Sequence, residues 1–385
     1  YLGHTMQNIM RIFGLVLLVM VGVVFMVGPA GLLALLTPEW LNVKVWTIII
    51  LVYYFLATLL PVDKVIARFY PIFGIFLILM AVGVSVATMM NNGVRPMMEL
   101  TLENLYPSAH QRPIWPLMFI TVACGAISGF HATQSPIVSR TLKNEKEGRW
   151  VFYGAMVAEG IIAMVWASAA IAFFWNKDGS GTGLKALLDI GGGNSKSVYA
   201  ICTGLLGTVG GAIAMVGVIA CPITSGDTAF RSARMIVFDW FKLDEKNLKT
   251  RLSVAVPLLL IGYCISLINY NVVWRYFSWS NQTLAMIVLW TGGAYLATNY
   301  SNRNRCWIAV LPATFMSAVS VTYLMYAPGC FNLVRLGMQG ITISYAVGIV
   351  VAAVFFIIFI TRIYLRPQQS LENQQKIIIG RVHSK

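Results

Sequence analysis

Long apolar runs separated by short polar links set the character of this chain. The runs fall at 13–36, 46–60, 72–90, 114–130, 151–174, 198–221, 254–268, 284–298, 307–326 and 341–361. Each approaches or exceeds the ~20 residues a helix needs to cross a bilayer, so the pattern predicts an all-α polytopic membrane protein with about ten transmembrane helices. The longest links, 91–112, 176–196 and 225–251, are too short for a separate soluble domain. One membrane domain over 1–366 is expected, followed by a polar tail at 367–385 that reads as cytoplasmic.

One run does not end cleanly. Residues 123–136 read Ala-Cys-Gly-Ala-Ile-Ser-Gly-Phe-His-Ala-Thr-Gln-Ser-Pro. Gly125 and Gly129 lower the cost of non-helical dihedrals, and Pro136 removes a backbone donor. A loosened helix at bilayer depth is tolerated only against protein or a water-filled cavity, so the segment predicts a broken span. Amides opening the second half-helix, together with the helix dipole, suit an anionic group. Ser128, Phe130, His131, Thr133 and Gln134 join Gly125 and Gly129 as candidates for binding a substrate there. The competing reading is a packing face of small residues, with His131 simply beginning a loop.

Three further places carry polar chemistry inside apolar surroundings. Glu159 lies about two turns into a span, where a carboxylate faces a cavity or a partner. Along with His131, whose ordinary titration range suits proton transfer, it is a candidate proton carrier. The stretch 220–231 holds a second interruption, with Pro222 and Gly226, and there Thr224, Ser225, Asp227 and Thr228 offer hard oxygens of the kind that coordinate sodium. Asp227 can instead carry a proton, pair with Arg231 one turn on, or help cap a cytoplasmic helix over 228–241. Finally, 278–283 reads Ser-Trp-Ser-Asn-Gln-Thr and opens a span, so Asn281 and Gln282 are candidates either for orienting substrate or for joining helices.

Composition fits this picture: 58% of the 385 residues are hydrophobic, 11% are charged, and the mean hydropathy is +0.74. The net charge of +14 does not indicate nucleic acid, because the basic residues sit in alternate links. Arg140 to Arg149, Arg231 to Arg251, Arg303 with Arg305, and the end of the chain share one side, which places both termini in the cytoplasm by the loop-charge rule. Six scattered cysteines with no paired spacing predict neither a disulfide framework nor a zinc site. No signal-peptide pattern is visible. Four histidines without a metalloprotease or nucleophile-elbow motif argue against an enzyme, and no cofactor is expected beyond a coupling proton or sodium ion.

Three ordered segments together resemble the carbon starvation protein A family, CstA, of bacterial inner-membrane transporters. They are 123–132 with Asn144-Glu145, Tyr153-Gly154-Ala155-Met156 and Glu159; then Asp227-Thr228-Ala229-Phe230-Arg231-Ser232-Ala233-Arg234; then Ser280-Asn281-Gln282-Thr283-Leu284-Ala285. The resemblance implies a transporter domain with the inverted-repeat, LeuT-like core of the amino acid, polyamine and organocation superfamily. The break at 125–136 would be the second of two. Family members continue upstream with further hydrophobic segments and a Gly-x-Gly-Pro region, so part of the first repeat is expected to be missing here. The implied function is cation-coupled import of peptides or small carboxylates such as pyruvate during carbon starvation. The alternative is a non-transporting membrane sensor or scaffold subunit. Membrane lipid and a small-molecule substrate are the implied partners, nucleic acid is not, and the sequence leaves the oligomeric state open.

Overall fold

The computed structural model describes residues 4–59, 62–106, 112–175, 193–300 and 302–365. The tail at 367–385 and most of the link at 176–196 lie outside them. Every regular element among the described residues is helical: α1 (His4–Leu36), α2 (Val43–Leu59), α3 (Val62–Met90), α4 (Ile114–Ala126), α5 (Gly129–Thr141), α6 (Ala155–Trp175), α7 (Gly193–Phe241), α8 (Leu248–Ser266), α9 (Tyr270–Asn299), α10 (Trp307–Tyr326) and α11 (Gly337–Phe359), with short 3₁₀ and π turns between some of them. Eight helical stretches among the described residues are long and apolar enough to cross a membrane. The other two of the ten apolar runs also form helices: α2 is shorter, and α9 is diluted by its polar first half.

The chain divides into two compact units. One comprises 1–14, 110–136 and 278–385; the other comprises 15–109 and 137–277. The first is built on α4, the body of α9, α10 and α11. Its core joins Ile120 and Ala123 of α4 to Met286, Trp290 and Ala294 of α9, to Val310, Ala313 and Met316 of α10, and to Phe359 of α11. Where polar atoms enter this core they are bonded: Trp290 Nε1 donates to Ser317 Oγ at 2.9 Å, and Trp279 Nε1 donates to the Ser320 carbonyl at 3.2 Å. Gly348 of α11 lies against Thr322 and the Ala318 carbonyl. Small residues here let two apolar helices approach closely, as membrane helices do in the absence of a strong hydrophobic drive between them.

The second unit packs α1, α2, α3, α6, α7 and α8. Leu32, Met80, Val84, Phe173, Phe174, Ile201 and Met215 form its core, and Gly217 brings α7 against the α3 backbone at Phe76 and Leu77. Phe230 of α7 fills a notch left by Gly22 of α1 and Gly262 of α8. Pro29 cannot donate within α1, which frees the carbonyl of Phe25 four residues back. Tyr54 donates its phenol to that carbonyl at 3.4 Å. Ser195 of α7 serves the neighbouring Gly28 carbonyl at 3.1 Å. Pro29 and Pro222 also line an open, mostly apolar pocket of about 210 Å³ with Leu32, Val218 and Trp274.

Candidate functional site

The break expected near 123–136 is localised to two residues. α4 ends at Ala126, Ile127 is extended with φ −143 and ψ 100, and α5 resumes at Gly129. Pro136, expected to help make the break, sits inside α5. It removes an amide from the helix without ending it.

Sealing of the gap comes from a residue about 150 positions away. Asn281 of α9 is fully buried, and its Oδ1 accepts from the Phe130 amide at 2.8 Å and from the Ser128 hydroxyl at 3.2 Å. Its Nδ2 approaches Ser128 Oγ at 3.0 Å and Cys124 Sγ at 3.7 Å. The next residue in the same helix completes the contact: Gln282 Nε2 donates to the Ile120 carbonyl at 3.2 Å, on the α4 side of the break. Two adjacent amides thus fasten α9 to both halves of the interrupted span. Asn281 has partners at both ends of its amide, the usual way to carry polar atoms in an apolar layer, whereas Gln282 Oε1 is buried without one among the described residues.

Gly129 makes this approach possible. A Cβ there would meet the Asn281 carbonyl, with Leu284 Cβ at 2.8 Å and the Ala285 amide nitrogen at 3.1 Å. The break and the small-residue packing face are therefore one feature. Thr133 and Ser135 turn their hydroxyls back onto the carbonyls of Phe130 at 2.7 Å and His131 at 2.9 Å, and Gln134 donates to Thr133 at 3.3 Å. Gly125, His131, Thr133 and Gln134 are partly buried.

Two expectations need correction. The stretch 278–283 does not open a span: it lies well inside α9, which begins at Tyr270. Residues 270–277, with Val272, Val273, Trp274 and Phe277 among them, carry the helix about two turns ahead of the polar cluster. Likewise, Pro222 and Gly226 do not interrupt α7, and no new helix starts at Thr228. α7 runs from Gly193 to Phe241 and departs from helical dihedrals at Gly207, with φ 71 and ψ −174. Around Pro222, Thr224 Oγ1 bonds the Cys221 carbonyl at 2.9 Å, Ser225 Oγ bonds the same carbonyl at 3.0 Å, and Thr228 Oγ1 bonds the Thr224 carbonyl at 3.0 Å. These hydroxyls back-bond carbonyls of their own helix; none of the three reaches the Val218 carbonyl, the one that Pro222 leaves short of a donor.

Asp227 is buried and pairs with Arg231 at 3.3 Å across one helical turn. Glu159 is partly buried on α6, near enough for its charge to act on Cys221 of α7. The candidate residues therefore fall into two groups. Gly125, Ser128, Gly129, Phe130, His131, Thr133, Gln134, Asn281 and Gln282 belong to the first unit; Glu159, Thr224, Ser225, Asp227 and Thr228 belong to the second. All six cysteines are free, and no group of three or more histidine, cysteine or acidic side chains among the described residues is placed to hold a metal. Cys124 was not singled out as a site residue, although its place in the break, one turn before Ser128, was a usable signal.

The profile of the family described as Carbon starvation protein CstA matches residues 3–178. This stretch includes the break and Glu159, whereas 227–234 and 280–285 lie beyond it. The chain is 37% identical over 224 residues to an uncharacterized membrane protein of Haemophilus influenzae, covering 46% of this chain and 60% of that one. It is 24% identical over 278 residues to the peptide transporter CstA of Escherichia coli, covering 54% of this chain and 40% of the relative. It is 36% identical over 102 residues to the pyruvate/proton symporter BtsT of the same organism, covering 23% and 14%. The chain thus spans less than two thirds of the length of each of these relatives. No solved structure matches it. With its profile match containing the interrupted span and its relatives named as transporters of this kind, the chain belongs to the carbon starvation protein CstA family.

Proposed function

We propose that this chain forms all or part of a cation-coupled secondary transporter of the inner membrane that imports peptides or small carboxylates such as pyruvate when preferred carbon runs out. The observation that carries the reading is the two-residue break at Ile127 and Ser128, clasped by Asn281. The first amides of a helix have no acceptor within it, and here one of them is satisfied by a neutral side-chain oxygen. A carboxylate is a stronger acceptor for the same geometry. Substrate enters beside the α5 terminus, takes hydrogen bonds from the first-turn amides and Ser128, and is oriented by Asn281 and Gln282.

In this scheme α4 and α5 are the broken helix of an inverted-repeat, LeuT-like core, with substrate held near mid-membrane and the two repeats rocking about it. Glu159 and His131 carry the coupling proton. If sodium couples instead, Asp227 with Thr224, Ser225 and Thr228 is its site, and ion entry there competes with Arg231 for the carboxylate. Both termini face the cytoplasm.

The test is uptake of labelled pyruvate and labelled dipeptide into proteoliposomes carrying this chain, or its genomically extended form, under an imposed proton or sodium gradient. Concentrative, saturable uptake driven by one of the two gradients is expected. A folded protein that concentrates neither substrate under either gradient contradicts the proposal.

A further inference from the structure

Three arginines among the described residues show what supports them. Arg95 stacks over the Phe173 ring at 4.3 Å, Arg303 donates to the Ile363 carbonyl at 2.7 Å, and Arg231 pairs with Asp227. Arg234 of α7 is only 7% exposed, and its Nε is buried without an acceptor. Among the described residues, nothing accepts a hydrogen bond from its guanidinium. A guanidinium presents five donors in a fixed plane and does not deprotonate. Burying it without a counter-charge is costly, and the usual relief, losing the proton, is closed to it.

Its surroundings show what is wanted. Asp227, Arg231 and Arg234 share one face of α7 by their spacing of four and three. The charges that act on Arg234 are those of Glu245, Arg231, Arg251 and Asp227. Asp227 is already paired with Arg231, and Arg231 and Arg251 add positive charge beside Arg234. The cluster lies at the turn joining α7 to α8. Lys242 ends α7 in a left-handed conformation with φ 53, Leu243 donates back to the Phe238 carbonyl at 3.0 Å, and Asn247 caps α8. Around this turn Phe241 is 66% exposed, Leu243 39% and Leu248 48%. Lys242, Lys246 and Lys249 stand beside them, all exposed.

An unpaired buried arginine, a surplus of positive charge and an exposed apolar rim describe both ends of an anionic lipid. Basic pockets of this kind at the end of membrane helices take phosphate headgroups, and arginine suits phosphate because its fork donates two parallel hydrogen bonds. We propose that Arg234, with Arg231 and Arg251, holds the phosphate of an anionic phospholipid, whose acyl chains lie along Phe241 and Leu248. The site does not depend on the transported substrate, although it shares Arg231 with the sodium alternative at Asp227.

The experiment uses the full chain purified in neutral detergent, with lipid retention read by native mass spectrometry and thermal unfolding read in parallel. Phosphatidylglycerol, phosphatidylcholine and inorganic phosphate are the three probes. Wild type is expected to retain phosphatidylglycerol over phosphatidylcholine and to melt higher with it. Arg234→Gln should lower that retention about fivefold or more and abolish the rise in melting temperature. Without lipid, Arg234→Gln should melt no lower than wild type, because it removes an unpaired buried charge, and Arg234→Lys should keep part of the selectivity. Protection by inorganic phosphate equal to that by phosphatidylglycerol, again lost in Arg234→Gln, would keep the phosphate site and assign it to a free anion. Equal retention of both lipids by wild type and Arg234→Gln, with no response to phosphate, would overturn the proposal. So would a lower lipid-free melting temperature for Arg234→Gln, since that would show that Arg234 already has a partner.

Discussion

Two segments of this chain are written in nearly the same alphabet and fold differently. Both 124–136 and 221–231 combine cysteine, glycine, serine, threonine and proline at the end of an apolar run. The first opens into a two-residue gap between α4 and α5; the second stays helical through Pro222 and Gly226. The difference lies in who satisfies the backbone. Around Pro222 the hydroxyls of Thr224, Ser225 and Thr228 reach carbonyls of their own helix, so these polar side chains stay within α7. At Ile127 and Ser128 the repair comes from Asn281 on another helix. A helix in lipid breaks where a distant polar side chain underwrites the break, and proline alone does not suffice.

The comparison is broken most severely by removing the clasp. Asn281→Leu leaves the Phe130 amide and the Ser128 hydroxyl buried without Oδ1, and should cost about 2–5 kcal/mol of stability. Thermal unfolding in detergent measures this, and a loss under about 1 kcal/mol would show that the gap closes without Asn281. Gly129→Ala comes next. Its Cβ meets the α9 backbone at Asn281 and Ala285, so a cost of about 1–3 kcal/mol is expected. Gly74→Ala in α3, where nothing lies within 4 Å, should be neutral or mildly stabilising, because alanine is the better helix former. Equal melting temperatures for these two variants would remove the close approach from the account. Pro222→Ala should change stability least, by under about 1 kcal/mol, since α7 already runs helical through residue 222 and alanine only returns an amide to it. A larger destabilisation would mean that the proline shapes α7 after all.

Much of the helix inventory was legible because each apolar run of ~20 residues has a single way to satisfy its backbone in lipid. Among the described residues each of the ten runs forms helix, with 114–130 broken at Ile127 and Ser128. Legibility failed where composition and geometry part company. Gly207, among other glycines in 204–211, gives no local sign that it rather than Pro222 carries the irregularity of α7. The helical start of α9 at Tyr270 was hidden because Arg275 and the polar cluster 278–283 lower the apparent hydropathy of a helix that is buried by packing. In the candidate site, Gly129, Ser128 and Asn281 each stood out singly. That they meet was not readable, because no sequence rule pairs residues 150 positions apart. Arg234 was visible only as one more basic residue of a link, until burial separated it from Arg231 and Arg251.

The central claim is that the α5 terminus held by Asn281 receives the carboxylate of the substrate. Asn281→Asp tests it most directly, because aspartate caps a helix as well as asparagine does while placing a negative charge where the substrate must bring its own. Labelled pyruvate and dipeptide uptake would be measured in proteoliposomes alongside the melting temperature of the same preparation. The account predicts an Asn281→Asp protein that still folds, at a cost of about 2–5 kcal/mol for the buried carboxylate and the lost Nδ2 donor, and whose uptake falls at least about tenfold, a change of about 1.4 kcal/mol in transport free energy. Uptake at the wild-type rate by a well-folded Asn281→Asp protein would contradict it.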